Sequence, residues 1–291
     1  MGNQSATAVG SHLRQFRLHG WFGVLVMVFG EILLVQDIDL VKRWFTPVMW
    51  SGYILFADAL LLKLTGNSLI IDRFGAFLFM LPYSVVCWAI FEVYNLYLEN
   101  WRYVGLPENA LLRYFGYVWS FATIWPAVLL TYELIRFSGW FDKVRVPRFR
   151  FKPSTLYLIC ILGLSMLIVP VLVPQNVAAY LFGPVWMGFV FFLDPVNYFI
   201  GANSLFRELE EGKLDKLLSL FAAGLVCGVL WEFWNYWATA KWIYTFPYFQ
   251  DIKLFEMPLI GFLGFLPFAV EIYVMWELAA RVFKIKSVFD D

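Results

Sequence analysis

Eight acidic residues lie within long apolar stretches of this chain of 291 residues, and almost no basic residue accompanies them there. They are Glu31, Asp58, Glu92, Glu133, Asp194, Glu232, Glu271 and Glu277. An ionised side chain at the centre of a bilayer costs about 2.5–3.5 kcal/mol on insertion scales, so such acids usually face the interior of a helix bundle. There, a protonated carboxyl group can donate a proton and an ionised neighbour can accept one. The sequence therefore predicts intramembrane acid–base chemistry.

Two of these acids recur with an amide on the same helix face. Glu92 and Asn95, like Glu232 and Asn235, are three residues apart. Aromatic faces can stabilise a passing carbocation, and aromatic residues accompany both pairs. We therefore predict Glu92 and Glu232 as proton-handling groups; the alternative is a structural polar contact beneath an interfacial aromatic belt. The predicted substrate-binding residues are Asn95, Asn235, Trp101, Trp231, Trp234, Trp242 and Tyr244.

The remaining acids suggest supporting roles. Asp58 and Asp194 recur as a second pair, which we predict to be supporting acids; hydrogen bonds with Asn67 or Asn203 are the structural alternative. Glu271, like Glu31, has no counterpart elsewhere in the chain, and we include Glu271 as a candidate for one asymmetric catalytic site. Salt bridges are expected near helix ends for Glu133 with Arg136 and for Glu277 with Arg281.

The composition indicates where these acids must be held. Apolar residues make up 61% of the chain and charged residues 15%, and the mean hydropathy is +0.69. A typical soluble domain is about 45–50% apolar and about 25% charged, so the values exclude a soluble enzyme and a disordered chain. Basic and acidic residues number 22 each, so no basic surface is available for nucleic acid.

The apolar runs are long and unbroken, which favours helices over the alternating strands of a membrane β-barrel. We predict an all-α polytopic membrane protein with eight transmembrane helices. The predicted spans are residues 20–36, 45–64, 74–98, 112–136, 155–173, 180–200, 217–238 and 257–280. With a cytoplasmic N-terminus, sixteen lysines and arginines fall on the cytoplasmic side and six on the other. This distribution predicts cytoplasmic N- and C-termini, and we expect a bacterial inner membrane.

The second half of the chain resembles the first. FTPVMWSGYILFADALLLKLTGNSLI (45–70) is similar to FGPVWMGFVFFLDPVNYFIGANSLF (182–206), and CWAIFEVYNLYLENWRY (87–103) is similar to CGVLWEFWNYWATAKWIY (227–244). Four spans per copy make the two repeats parallel, with a site expected at their interface. The predicted divisions are a cytoplasmic tail (1–19), repeat 1 (20–138), a basic cytoplasmic linker (139–154), repeat 2 (155–281) and a C-terminal tail (282–291).

Metal and cofactor chemistry finds little support in the residue types. The cysteines Cys87, Cys160 and Cys227 lie in apolar stretches without CxxC spacing, and the two histidines are His12 and His19. A histidine-rich di-iron site is excluded, and a zinc site is not expected. We therefore predict no metal and no cofactor.

Each half of the chain also resembles the lycopene cyclase domain of the small membrane type, which occurs as paired subunits or as a tandem fusion. YILFADALLLKLTGNSLI (53–70) is similar to the family's YLxxADxxxLxxGxWxI run. LWEFWNYWATAKWIYTFPYF (230–249) is similar to its aromatic–acid pair and the aromatic loop that follows. PLIGFLGFLPFAVEIYVMWEL (258–278) and FGYVWSFATIWPAVLLTYEL (115–134) match a third block in spacing.

The resemblance implies cofactor-free isomerisation of an isoprenoid, in which acids protonate a terminal double bond and quench the cation. The family's paired glutamates would fall at Ile260 and Gly261, and near Tyr117 and Val118, so neither copy has them. A relocated acid is then required, for which Glu232 and Glu271 are candidates. The functions left open are an isoprenoid or carotenoid cyclase or isomerase, a non-catalytic lipid- or isoprenoid-binding protein, and an ion-coupled transporter. We expect a monomer, because the repeats are fused.

Overall fold

The computed structural model describes residues 15–286. The structure is mostly helical (72%), and within the described part seven helices are long and apolar enough to cross a membrane. This is the architecture of a multi-pass membrane protein. His12, most of the predicted N-terminal tail and the end of the predicted C-terminal tail lie outside the described residues.

The first half of the chain forms helices α1 to α5 and one short strand. Their bounds are α1 Leu18–Val35, α2 Asp39–Thr65, α3 Phe74–Leu98, β1 Trp101–Val104, α4 Ala110–Ala122 and α5 Ile124–Ser138. The predicted span 112–136 is therefore two helices that break at Thr123. Pro126 explains the break, because it has no N–H group to donate to the carbonyl of Ala122.

The second half continues from α6, and three of its long helices match the predicted spans 155–173, 180–200 and 217–238 to within two residues at each end. The last helix begins eight residues after the predicted start of span 257–280, because a short strand and a 3₁₀ helix precede it. The bounds are α6 Pro153–Leu172, α7 Gln175–Ala178, α8 Phe182–Ile200, α9 Leu205–Glu210, α10 Asp215–Trp237, β2 Lys241–Tyr244, β3 Lys253–Leu254, β4 Met257–Pro258 and α11 Phe265–Phe283, with a 3₁₀ helix at Leu259–Gly264. Helix α8 covers the predicted span 180–200 and is not among the seven apolar helices named above.

Close glycine contacts pack α1 on α2 and α6 on α8. A Cβ atom built on Gly23 would lie 2.4 Å from the carbonyl oxygen of Gly52. A Cβ atom on Gly163 would lie 2.8 Å from the carbonyl oxygen of Gly188 and 2.4 Å from the nitrogen of Phe192. Both helix pairs thus approach to backbone contact, the packing that small residues permit in membrane proteins.

Helices α2, α5, α10 and α11 form the centre of the bundle. At least half of the most apolar window of each is buried, whereas α1, α3 and α6 bury only 17–22% of theirs. Among the central side chains, Trp125 on α5 and Tyr273 and Trp276 on α11 are fully buried. The outer helices therefore present apolar surface outward, as lipid-facing helices do.

Three pairings differ from the sequence prediction. His19 lies in α1 rather than in the tail, and its Nε2 atom is 3.1 Å from Oδ2 of Asp58. Glu133 pairs with Arg73, with 3.0 Å between Nη2 and Oε2, because Arg73 at the start of α3 reaches α5 across the bundle. Arg136, the partner predicted for Glu133, pairs instead with Asp215 at the start of α10.

Candidate functional site

Glu232 on α10 is a fully buried carboxyl group whose two oxygens have different surroundings. Its Oε1 atom accepts hydrogen bonds from the hydroxyl group of Tyr244 at 2.8 Å and from the indole N–H of Trp242 at 3.4 Å. Its Oε2 atom is buried and has no hydrogen-bond partner among the described residues. One oxygen of the carboxyl group is thus anchored, and the other is uncommitted.

Glu92 on α3 has equivalent donors and a different exposure. Its Oε1 atom accepts from the indole N–H groups of Trp88 at 2.8 Å and Trp101 at 3.2 Å, and from the hydroxyl group of Tyr103 at 2.6 Å. The side chain is only half-buried. Glu92 therefore has one hydrogen-bond donor more than Glu232, and its side chain is more exposed at the surface of the protein.

All of these donors except Trp88, which lies on α3, are held by a two-stranded antiparallel sheet that joins the two halves of the chain. Strand β1 pairs with β2 so that Trp101 lies opposite Tyr244, and Tyr103 lies opposite Trp242. Burial, together with the nearby carboxyl group, raises the pKa of both Tyr103 and Tyr244 well above the ordinary value of a phenol. Both hydroxyl groups therefore stay protonated and act as donors.

Asn95 and Asn235 hold these strands to their helices. The side chain of Asn235 accepts from the backbone nitrogen of Trp242 at 3.0 Å and donates to its carbonyl oxygen at 2.8 Å. The side chain of Asn95 likewise bonds the backbone nitrogen of Trp101 at 3.1 Å and its carbonyl oxygen at 2.8 Å. Asn95 and Asn235, which were predicted to bind substrate, are thus engaged with the backbone of the strands. This role explains why each of them lies three residues after a glutamate that binds the same strand.

A cavity of about 120 Å³ lies beside the sheet, between the two halves of the chain. Its walls include Glu232 and rings from both halves: Trp50, Trp88, Trp101, Trp186, Trp231 and Trp242. Pockets for drug-sized ligands are typically about 300–1,000 Å³, so this cavity fits the end of a chain rather than a whole long isoprenoid. Trp234, also predicted as lining, lies behind it and contacts Trp50 with ring centroids 5.0 Å apart.

Asp58 and Asp194 lie away from this cavity and bind the chain segments that follow their helices. Asp194 accepts from the hydroxyl group of Ser204 at 3.1 Å and from two backbone N–H groups, of Leu205 and Phe206, at 2.9 Å each. Asp58 accepts in the same manner from Ser68, Leu69 and Ile70 at 2.6–3.1 Å. The segments are thereby tied to α2 and α8.

Glu271 on α11 is the most isolated acid of the bundle. It is fully buried, and neither carboxyl oxygen has a hydrogen-bond partner among the described residues. It does not line the cavity. Glu31, which also has no counterpart in the other half of the chain, accepts a hydrogen bond from the indole N–H of Trp234 at 3.2 Å.

The basic residues at one end of the cavity are absent from the sequence prediction. Arg43 on α2, Arg113 on α4 and Lys241 on β2 contribute to its lining. The sequence signal was present, because all three belong to the side that is predicted to carry few basic residues. Comparison with known protein families, with curated proteins and with solved structures finds no match to this chain.

Proposed function

We propose that the protein is a cofactor-free membrane enzyme that cyclises or isomerises an isoprenoid, with Glu232 as the proton-handling residue. The observation that carries this proposal is the Glu232 carboxyl group in the wall of an aromatic cavity, with one oxygen anchored and the other unpartnered. The resemblance of the two halves to lycopene cyclases supports it independently.

The proposed reaction is redox-neutral. The protonated carboxyl group of Glu232 gives its proton to one carbon of a terminal double bond, which leaves a carbocation on the other carbon. A second double bond of the chain attacks this cation, and the new cation loses a proton to the carboxylate. Product and substrate then have the same formula. Faces of Trp231, Trp242 and Phe268, which line the cavity, would stabilise the intermediate cations.

Glu92, Asp58, Asp194 and Glu271 take lesser parts in this proposal. Glu92 orients the strand that carries Tyr103, and the two aspartates hold chain segments outside the cavity. Glu271 is the second candidate acid, because its carboxyl group is uncommitted. The cavity size suggests that one end of the substrate enters while its remaining length lies along the bundle.

The proposed architecture is eight spans in two parallel repeats of four, with α8 as the eighth span. It is supported by contacts that occur once in each half. Four features of one half have a counterpart in the other half. They are the glycine contact between two helices, the aspartate that binds three donors, the glutamate that binds a strand, and the asparagine that holds this strand to its helix. We propose cytoplasmic termini in a bacterial inner membrane, with the β1–β2 sheet and the cavity on the opposite side.

The test uses a host that accumulates acyclic isoprenoids of both kinds, hydrocarbons such as lycopene and chains that end in a phosphate group. We expect Glu232→Gln to abolish formation of the cyclised product, measured by liquid chromatography and mass spectrometry, at an unchanged amount of membrane-inserted protein. Glu31→Gln is the matched control, since Glu31 is an intramembrane acid outside the cavity lining, and it should retain activity. Equal conversion by Glu232→Gln and the unmodified protein would contradict the proposal.

A second candidate is a non-catalytic isoprenoid- or lipid-binding protein. It is favoured by one observation: the positions of the family's paired glutamates hold Ile260 and Gly261, in the 3₁₀ helix before α11. Mass spectrometry of lipids retained by the purified protein separates the two candidates. A binding protein would retain an isoprenoid in the same chemical form in which the host makes it. An enzyme would retain or release a cyclised isomer of that isoprenoid.

A further inference from the structure

The cavity has a basic rim as well as an aromatic interior. Arg43, Arg113 and Lys241 lie at the end where α2, α4 and β2 begin. Lys241 is neutralised by Glu256, with 2.6 Å between Nζ and Oε1. Arg43 and Arg113 have no acidic partner among residues 15–286, and Arg113 donates a hydrogen bond to the carbonyl oxygen of Pro107 at 3.4 Å. Two guanidinium groups are therefore available to a ligand.

Arg43 is separated from Glu232 along the depth of the cavity, and rings line the whole of that depth, beginning with Trp44 beside Arg43. Arg43 and Trp50 both line it and are seven residues apart on α2, which corresponds to about 10 Å along a helix. Trp50 contacts Trp231, with ring centroids 5.0 Å apart, and Glu232 follows Trp231 in the chain. A ligand that fills the cavity thus meets guanidinium groups at one end, the carboxyl group of Glu232 at the other, and aromatic rings between them.

Membrane topology does not account for these arginines. The positive-inside rule concentrates basic residues on the cytoplasmic side, and Arg43 and Arg113 belong to the side with six rather than sixteen. Planar guanidinium groups match the oxygens of phosphates and carboxylates, which they bind through two parallel hydrogen bonds. The arrangement therefore fits an anionic group attached to an apolar chain.

We propose that the ligand of this cavity is an isoprenoid that ends in a phosphate or carboxylate group, held between Arg43 and Arg113, with its apolar part in the aromatic interior. This inference rests on the proposed function and narrows its substrate class, because it excludes a purely hydrocarbon substrate. The anionic end anchors the chain, and the first isoprene units lie near Glu232.

The test measures quenching of tryptophan fluorescence in the purified full-length protein in detergent, since seven tryptophans line the cavity, namely Trp44 and the six named above. The probes are geranylgeranyl phosphate, uncharged geranylgeraniol, phosphatidic acid in mixed micelles and inorganic phosphate. We expect geranylgeranyl phosphate to bind at least about tenfold more tightly than geranylgeraniol, as one charge-assisted hydrogen bond would provide. Weaker binding of phosphatidic acid would identify an isoprenoid rather than a phospholipid as the occupant.

Arg43→Gln with Arg113→Gln should remove this preference, whereas Arg43→Lys with Arg113→Lys should retain part of it. Arg102→Gln is the matched control, because Arg102 lies on β1 and outside the cavity lining. Equal affinities for the phosphate and the alcohol would overturn this inference and leave the proposed function standing. Binding of inorganic phosphate as tight as that of geranylgeranyl phosphate would also overturn it. If neither isoprenoid binds, the proposed function itself fails.

Discussion

Tyr103 and Trp242 lie opposite each other in the β1–β2 sheet, and each donates a hydrogen bond to a glutamate of its own half. The hydroxyl group of Tyr103 is 2.6 Å from Oε1 of Glu92, and the indole nitrogen of Trp242 is 3.4 Å from Oε1 of Glu232. The two carboxyl groups are therefore linked through eight residues of paired strand, although they are 140 positions apart in the chain. Displacement of one strand would disturb both glutamates.

Tyr244→Phe should destabilise the protein more than Tyr103→Phe. Tyr244 supplies the shorter of two hydrogen bonds to a fully buried carboxyl group, whereas Glu92 would keep two indole donors and is half-buried. We expect a loss of about 1–3 kcal/mol for Tyr244→Phe and about 0.5–1.5 kcal/mol for Tyr103→Phe, measured by thermal unfolding in detergent. Equal losses would argue that Glu232 does not depend on Tyr244.

Asp194→Asn should lower the free energy of unfolding and leave the rate of conversion by each folded molecule unchanged. An amide can accept through only one of its two terminal atoms, so at least one donor to Asp194 would lose its partner. We expect a loss of about 1.5–3 kcal/mol, as for hydrogen bonds to a charged group, and a similar loss for Asp58→Asn. Unaltered unfolding with lost conversion would instead make Asp194 a catalytic residue.

Gly163→Ala should destabilise the contact between α6 and α8. The added Cβ atom would lie 2.4–2.8 Å from backbone atoms of α8, which cannot rotate away as a flexible side chain can, so the helices would have to separate. A loss of about 1–3 kcal/mol is expected, the usual range for overpacking. Gly183→Ala on α8 is the control, because its Cβ atom meets nothing within 4 Å. Because alanine favours a helix more than glycine does, Gly183→Ala should be neutral or stabilising, and an equal loss in both variants would show that the close contact at Gly163 is not its cause.

Arg73→Gln should cost more stability than the double variant with Glu133→Gln. Arg73 and Glu133 expose 21% and 16% of their side chains, so the pair is largely buried and removal of the cation leaves a carboxylate with little water. The single variant should lose about 1–3 kcal/mol after allowance for the remaining exposure, and neutralising Glu133 should restore part of this. Strictly additive losses in a double-mutant cycle would show that the two residues act independently.

The sequence predicts the helices well because length and hydropathy determine them. The predicted span 74–98 coincides with α3 at both ends, and 155–173 differs from α6 by two residues or fewer. The break at Thr123 was missed, although Pro126 signals it, because the apolar run continues across it. The four-residue strands were also missed, since β1 finds its partner about 140 residues away and no local pattern marks a pairing at that distance.

The sequence also predicts part of the candidate site, because some of its residues recur in both halves of the chain. Recurrence identified Glu232, Trp242 and Tyr244, and the structure brings these three together. Recurrence also selected Asn235, because a residue that holds the local fold repeats as faithfully as one that would meet a substrate. Arg43 does not recur, and only the approach of α2 to the sheet places it at the cavity.

The contacts between the two halves should make the peptide connection between them dispensable for assembly. Three contacts join one half to the other: the sheet β1–β2, the tilted ring contact of Trp50 with Trp231, and the contact of the Cys227 thiol with Thr131 at 3.3 Å. Two separately translated polypeptides, divided within the loop before α6, should therefore find each other in the membrane and reconstitute the complete cavity. Such a divided protein would be a heterodimer of the two halves, with the same contacts between its subunits as the single chain has between its halves.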